Sequence, residues 1–415
     1  MSIKMGVVFN DEKKAVDELI KIVGKDIWIA MPHGLGKPIR LTNEIYRRVK
    51  EDPTMSLSII SGLLLEKPKA NSDIEKRFLG PILERLFDGV NELDYALDMR
   101  AGKLPKNVQL YEFYGRSGAD LNNPHFQMNH FSSNFSHCCR DGIGYGFNVI
   151  AHLASEKKIN GKAVYSMGCN TDIVVEAVDS LRNMRAKGIK CATVAEVNAN
   201  LPFMYGDAVT DKNDYNIILQ GEQFNSKLFG VPKDAVTQTD HMIGLNVSSL
   251  VKDGGTIQVG IGALGDAIVA GLILRHENNQ IYNEMLESCG ITSRYSDLIK
   301  NWGGTGVFKE GLYGSSEMFV DAFLEMYKRG ILKRKVFESV PIMQLINNGE
   351  LSADKIPMDI IDKLLKKKAI QTKLTKEDFN FLTEFGILKK GLKFDKGTIK
   401  DGNTNYPVDM EKSEN

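Results

Sequence analysis

A chain of 415 residues carrying 53 Lys+Arg against 53 Asp+Glu has no net field to draw it to nucleic acid or to an anionic membrane. That length exceeds what one simple core organises, so two α/β domains are expected. Residues 1–10 lack the apolar run of a signal peptide, and the five cysteines (Cys138, Cys139, Cys169, Cys191, Cys289) include no C-x-x-C pair, so buried reduced thiols in a cytoplasmic protein are expected.

Along the chain, short β-branched or apolar runs at 27–31, 57–61, 108–114, 163–167, 191–197, 216–219 and 256–261 read as buried strands. Between them 12–22, 41–50, 73–86, 147–154 and 173–186 carry helical spacing. This alternation predicts parallel sheets covered by helices. The Pro- and Gly-bearing stretch 201–207 sets the expected domain break, with a first domain over 1–205 and a second beginning at 206 and running to 335. The second carries an insertion near 278–310, and 336–415 reads as a Lys-rich helical extension with a β-like tail, without an internal repeat. The apolar run 267–274 is far too short to cross a bilayer.

Two segments carry the chemistry. The strand-like Thr256-Ile257-Gln258-Val259 leads into Gly260-Ile261-Gly262 and then a helical run from Asp266, a strand-turn-helix that aims backbone N–H groups at an anion. G-x-G also marks ordinary tight turns and nucleotide-binding crossovers, so the turn alone does not choose among them. Downstream, Glu317 follows Gly311, Gly314, Ser315 and Ser316, small residues that leave room for a ligand beside a carboxylate. A glutamate in a first helical turn also complements the helix dipole.

Upstream, Gly34-Leu35-Gly36-Lys37-Pro38 follows the first predicted buried strand, at the carboxyl edge where open α/β sheets bind ligands. Lys37 there reads either as a contact for a carboxylate or phosphate or as an exposed loop lysine. The Walker pattern is absent. His125, His130 and His137 lie in a polar stretch without the acidic or cysteine partners of a metal site, so an ordinary polar loop is expected, with substrate contact as the lesser reading.

The run from Asp253 to Gly262, with Ser316-Glu317-Met318-Phe319-Val320-Asp321, Pro32 to Pro38, and Glu196-Val197-Asn198 with Leu201-Pro202, resembles the acetyl-CoA hydrolase/transferase family of class I CoA-transferases, in the same order along the chain. The resemblance implies an α/β, NagB/RpiA/CoA-transferase-like fold of two domains with mainly parallel sheets. It implies coenzyme A as substrate and covalent intermediate with no permanently bound cofactor, and acyl-CoA and a short carboxylic acid as partners; a homo-oligomer is expected as the usual default for soluble enzymes. Glu317 would be the nucleophile, Gly260, Ile261 and Gly262 the oxyanion and CoA loop, and Gly34, Gly36, Lys37 and Asn198 substrate contacts. Family members continue past the glutamate with a second glycine-rich segment that has no counterpart in 333–415, so the second domain reads as incomplete and a complementary C-terminal chain as a further partner. Two other readings stay open: a non-catalytic or incomplete subunit, and a sugar-phosphate isomerase-like or ligand-sensing protein on the same fold.

Overall fold

The computed structural model describes residues 4–409 apart from 71, 116, 117, 119, 231, 232, 316–318 and 396. The chain forms two compact units, Met1–Lys233 and Asp234–Asn415.

In the first unit the strands are β1 (Val7–Phe9), β2 (Asp26–Ala30), β3 (Ser56–Ser61), β4 (Val108–Glu112), β5 (Val149–Ile159), β6 (Lys162–Ser166), β7 (Ala192–Val197), β8 (Val209–Thr210) and β9 (Ile217–Leu219). Seven of them pair side by side in the order β1-β9-β7-β5-β2-β3-β4, every neighbour parallel. Both faces are covered. One core holds Leu19, Ile29, Ile45, Leu57 and Val194 under the helices Glu12–Val23 and Ile39–Glu51. The other holds Ile60, Phe147, Ile150, Val174 and Leu181 under Cys138–Tyr145 and Thr171–Ala186. A parallel sheet needs such double cover, since its strands expose no face to water.

The segment 147–154 reads as helical in sequence but forms the first half of β5, the central strand. Residues 149–155 are all buried, so the alternation that marks a half-exposed strand is missing. The run 163–167 enters the sheet antiparallel, β6 pairing with β5 and β8. The first unit extends well past the expected break at 205/206, because β9 inserts between β1 and β7 and so belongs to the first sheet.

The second unit opens with the helix Gln238–Ser249, the two-residue strand β10 (Thr256–Ile257) and the helix Ala263–Glu277. Strand β11 (Tyr313–Gly314) pairs parallel with β10, and the region between holds helices Asn279–Ser288, Ile291–Arg294 and Ser296–Trp302. Arg275, 1% exposed, ties this insertion down by donating to the carbonyls of Gly306, Ser248 and Val251 at 2.7, 3.0 and 2.5 Å, its guanidinium lying over the Phe308 ring.

Beyond it, three helices, Val340–Asn347, Ile360–Lys366 and Lys376–Glu384, precede an antiparallel sheet of β12 (Lys393–Asp395), β13 (Thr398–Asp401) and β14 (Thr404–Pro407). A repeat invisible in the sequence emerges here. Each helix ends on a left-handed residue, Gly349, Lys368 and Gly386, and the next N–H returns to the carbonyl of a fully buried leucine, Leu345, Leu364 or Leu382. These are three copies of one Schellman turn, packed into a shared core.

Cys138, Cys139 and Cys191 are buried, whereas Cys169 and Cys289 are exposed, against the expectation that all five thiols are enclosed. Among the described residues no helix is long and apolar enough to cross a membrane, and no cluster of His, Cys, Asp and Glu could hold a metal ion.

Candidate active site

The chain runs from β2 outward to β3 and β4, then returns across β2 to β5 and outward again to β7 and β9. The switch therefore lies between β2 and β5, and the crevice beyond the carboxyl ends of these two strands is where open α/β sheets take ligands. The loop holding Gly34, Gly36 and Lys37 leaves the end of β2 at this place.

Gly34 has φ +50°, in the left-handed region that favours glycine. Gly36 is fixed by contact instead, since a Cβ there would lie 1.7 Å from Asn170 Oδ1. Asn170 is itself held, donating to the carbonyls of Leu153 and Met167 at 3.2 and 2.8 Å, so the β2 loop is pressed against the segment that precedes the helix Thr171–Ala186.

Lys37 departs from both sequence readings. Its side chain is buried, 2% exposed, and its Nζ donates to the carbonyls of Gly62 at 2.7 Å, Leu63 at 3.1 Å and Gly34 at 3.4 Å. It pins the loop after β2 to the loop after β3. Burial depresses its pKa, opposed by the neighbouring Glu112 carboxylate. Glu112, at the end of β4 and 4% exposed, is pushed up by burial and drawn back by Lys37 and Arg100. One Glu112 oxygen and the buried Tyr95 hydroxyl have no partner among the described residues. His33 packs against Phe113 and Phe135, its ring centroid 4.3 and 4.9 Å from theirs, and burial first, then the Lys37 charge, lowers its pKa to about 3.

Asn198, fully buried, donates to Ser226 O and Oγ at 3.0 and 3.3 Å and accepts from the Asn200 N–H at 2.9 Å. Its amide organises the 198–226 loops, both Nδ2 hydrogens being directed at Ser226. Glu196, two residues earlier, reaches under the helix Ile39–Glu51 and accepts from Leu41 N–H at 2.9 Å, where Pro38 supplies no side-chain cap. Burial raises its pKa to about 7 against the pull of the Leu41 and Arg40 N–H groups. Gly34, Lys37, Glu196 and Ser226 line one cavity of about 30 Å³, with Leu65, Leu93 and Phe229 completing an apolar wall. The structure thus joins the Gly34–Lys37 loop to the neighbourhood of Asn198. Glu112 and Asn170 were missed by sequence reasoning; the only signal was a charged residue closing a buried strand.

In the second unit β10 is shorter than the predicted 256–261, and the chain leaves it through buried Val259 into Gly260-Ile261-Gly262. Gly262 has φ +128°, a conformation L side chains rarely adopt, and its carbonyl accepts from Asp266 at 3.1 Å as the helix Ala263–Glu277 begins. Gly265 is required by close approach, since a Cβ would stand 2.3 Å from Gly260 O. Ile261 projects outward, 63% exposed. The N–H groups of Gly260, Ile261 and Gly262 donate to no partner among the described residues, and they sit at the positive end of a 15-residue helix.

Asp253 ties this region to the downstream segment, accepting from the N–H groups of Lys309, Glu310, Gly311 and Gly254 at 2.8, 3.1, 2.9 and 3.1 Å. Burial alone would raise its pKa, but these four donors lower it. Ser315 N–H donates to Ile257 O at 2.9 Å, so the chain runs beside β10 up to residue 315. Glu317 lies outside the described residues. His125 belongs to a short helix, Pro124–Asn129, rather than a loop, and its Nε2 accepts from Leu110 N–H at 3.3 Å.

No family model matches the chain. Over 122 residues, 29% of the chain and 25% of the relative, it is 30% identical to a 4-hydroxybutyrate coenzyme A transferase of Clostridium kluyveri. Over 120 residues, 29% of the chain and 23% of the relative, it is 29% identical to a succinyl-CoA:acetate/propanoyl-CoA:succinate CoA transferase of Fasciola hepatica. The match thus spans about a quarter of each curated relative. The crystal structure of RipA from Yersinia pestis shares the fold at TM-score 0.50 and 15% identity, over 78% of this chain and 59% of that one. A single-residue variant of RipA gives 0.51 and 16% over the same shares. The expected α/β fold with a mainly parallel central sheet is therefore present, and RipA shares it.

Proposed function

We propose that this chain, a relative of the CoA-transferases, moves coenzyme A from an acyl-CoA to a short carboxylic acid such as acetate, with Glu317 as nucleophile. A Glu317 carboxylate oxygen attacks the thioester carbonyl, the C–S bond breaks, and a mixed anhydride and CoA thiolate result. The thiolate then attacks the glutamyl carbonyl, releasing the first acid and leaving a glutamyl-CoA thioester. A second carboxylate attacks that thioester, and the freed thiolate takes its acyl group, restoring Glu317. Each step exchanges one activated acyl bond for another, which divides a hard transfer into easier ones. Water in place of the second acid gives hydrolysis.

The observation that carries this reading is the turn at Gly260, Ile261 and Gly262, whose three N–H groups donate to no partner among the described residues and lie at a helix N-terminus. Such donors stabilise a developing oxyanion, and losing one costs about 3 kcal/mol of transition-state stabilisation. The kinship to CoA-transferases supports coenzyme A as the carried group.

The test is to incubate the full chain with acetyl-CoA, trap with borohydride or hydroxylamine, and locate the modified residue by mass spectrometry. Modification of Glu317, abolished in Glu317→Gln, is expected. Turnover without it would end the covalent scheme. A second reading, that activity requires a complementary polypeptide, is favoured by the β10–β11 sheet, which among the described residues has two strands of two residues each. A chain that is folded but neither modified nor active would move the balance to it.

A further inference from the structure

The first unit has a second concave region at the opposite end of its sheet. Lys4 and Met5 precede β1, Gly188, Ile189 and Lys190 precede β7, and Asn213 precedes β9, and these are the three adjacent strands in the order β1-β9-β7. All line one open cavity of about 1340 Å³ at the amino-terminal rim, walled by the last turns of the helices Glu12–Val23 and Thr171–Ala186. We propose that this rim is a binding site for a phosphorylated small organic molecule, separate from the switch-point crevice at the carboxyl ends of β2 and β5.

The charge arrangement carries the argument. Lys21 is paired with Glu18, and Arg182 with Asp179 and Asp214, so these two cations are already neutralised. Arg185 is not. It is half-buried, and its Nη1 donates only to neutral oxygens, Thr193 Oγ1 at 3.0 Å and Asn216 Oδ1 at 3.3 Å. Among the described residues Arg185, Lys4 and Lys190 form no ion pair. A guanidinium drawn from water without a carboxylate is disfavoured unless an anion completes it, and phosphate suits its forked donors. Burial lowers the Arg185 pKa and the Arg182 charge adds to the drop, opposed by the adjacent Cys191 and least by Asp214.

Helix dipoles account for cations in the last turns of the two helices, but Lys4 and Lys190 lie off both. The site is also braced. Asn216, 1% exposed, accepts from Thr193 N–H at 2.9 Å and from Arg185, and its Nδ2 donates to Lys4 O at 3.4 Å, holding the arm before β1 against the arginine. Met5, Ile22 and Ile189 supply apolar surface for the organic part of the ligand, and Glu18 is the sole carboxylate on the lining among the described residues. The volume admits a molecule of nucleotide size.

Calorimetric titration of the full chain with ADP tests this, with inorganic pyrophosphate and adenosine as separate arms. Saturable ADP binding is expected, weakened at least about tenfold in Arg185→Gln and in the double variant Lys4→Gln/Lys190→Gln, which removes no internal hydrogen bond of the lysine side chains. Lys13→Gln/Lys14→Gln, an equal charge loss on exposed positions elsewhere, should leave it unchanged. Competition by pyrophosphate supports recognition through the phosphates. ADP binding that survives both rim variants, falls equally in the control, or is matched by adenosine would overturn the proposal, as would no saturable binding at all.

Discussion

Replacing Lys37 by Met keeps the buried stem and removes the ammonium that joins the loops after β2 and β3. Two close carbonyls lose their donor, Gly62 O at 2.7 Å and Leu63 O at 3.1 Å, while the 3.4 Å contact to Gly34 O counts for little. Bonds from a charged donor contribute about 1.5–3 kcal/mol each, and part of that loss is offset because no ammonium need be desolvated. A net destabilisation of about 2–4 kcal/mol follows. The pH dependence is the sharper signature. Burial already raises the folded Glu112 carboxyl to about 7 against the pull of Lys37, so in the variant it keeps its proton to still higher pH than in the parent. A folded carboxyl raised above its unfolded value makes stability fall as pH rises from the unfolded pKa through the folded one. Below about pH 7 parent and variant lose stability together, so the deficit there is the hydrogen-bond loss alone, and it should grow only as pH rises above about 7. Urea unfolding followed by Trp28 fluorescence in a Trp302→Phe background reports the first unit, since the chain has only two tryptophans and Trp302 is 73% exposed. A deficit under about 0.5 kcal/mol at pH 7.5, or one independent of pH, would refute the assignment, because surface substitutions fall within that range.

Gly36→Ala should cost about 3 kcal/mol, the upper end of overpacking, because its Cβ meets the anchored Asn170 amide; the same Trp28 titration reads it, and a variant as stable as the parent would mean the two loops are not pressed together. Asp253→Asn keeps one acceptor oxygen where the carboxylate used two for four N–H groups, so amide exchange at residues 309–311 should quicken by about tenfold or more, a loss of about 1–3 kcal/mol. The Asp253 pKa is depressed, so its contribution is full above about pH 4 and is lost as pH falls through the folded value; parent and variant should converge on acidification, and a gap that persists unchanged would contradict this.

The strand-turn-helix around Gly260 was legible because glycines between a β-branched run and a helical one mark a tight turn, and the fold has that turn with Gly262 at φ +128°. Most of the βα alternation was legible for the same local reason. The central strand β5 was not, because burial on both faces erases the period that distinguishes strand from helix. Lys37 shows the limit most plainly. Sequence places it in a ligand-side loop and leaves it either exposed or facing substrate, whereas three carbonyls from two separate loops enclose it. The three repeated helix endings escaped notice because a Schellman turn accepts glycine or lysine at its left-handed position, so the likeness lies in backbone conformation and not in residue identity.

Local chemistry, then, was determined by the sequence alone: the α/β class, the glycine turn before a helix, and the kinship carried by short motifs. Tertiary structure decided which polar groups are spent and which remain open. Lys37, Asn198 and Glu196 are committed to carbonyls and N–H groups brought from distant segments, while the N–H groups of the Gly260–Gly262 turn and the Arg185 guanidinium lack charged partners among the described residues. A hydrogen bond between residues far apart in sequence leaves no periodic trace in it, so only the folded chain could make that division.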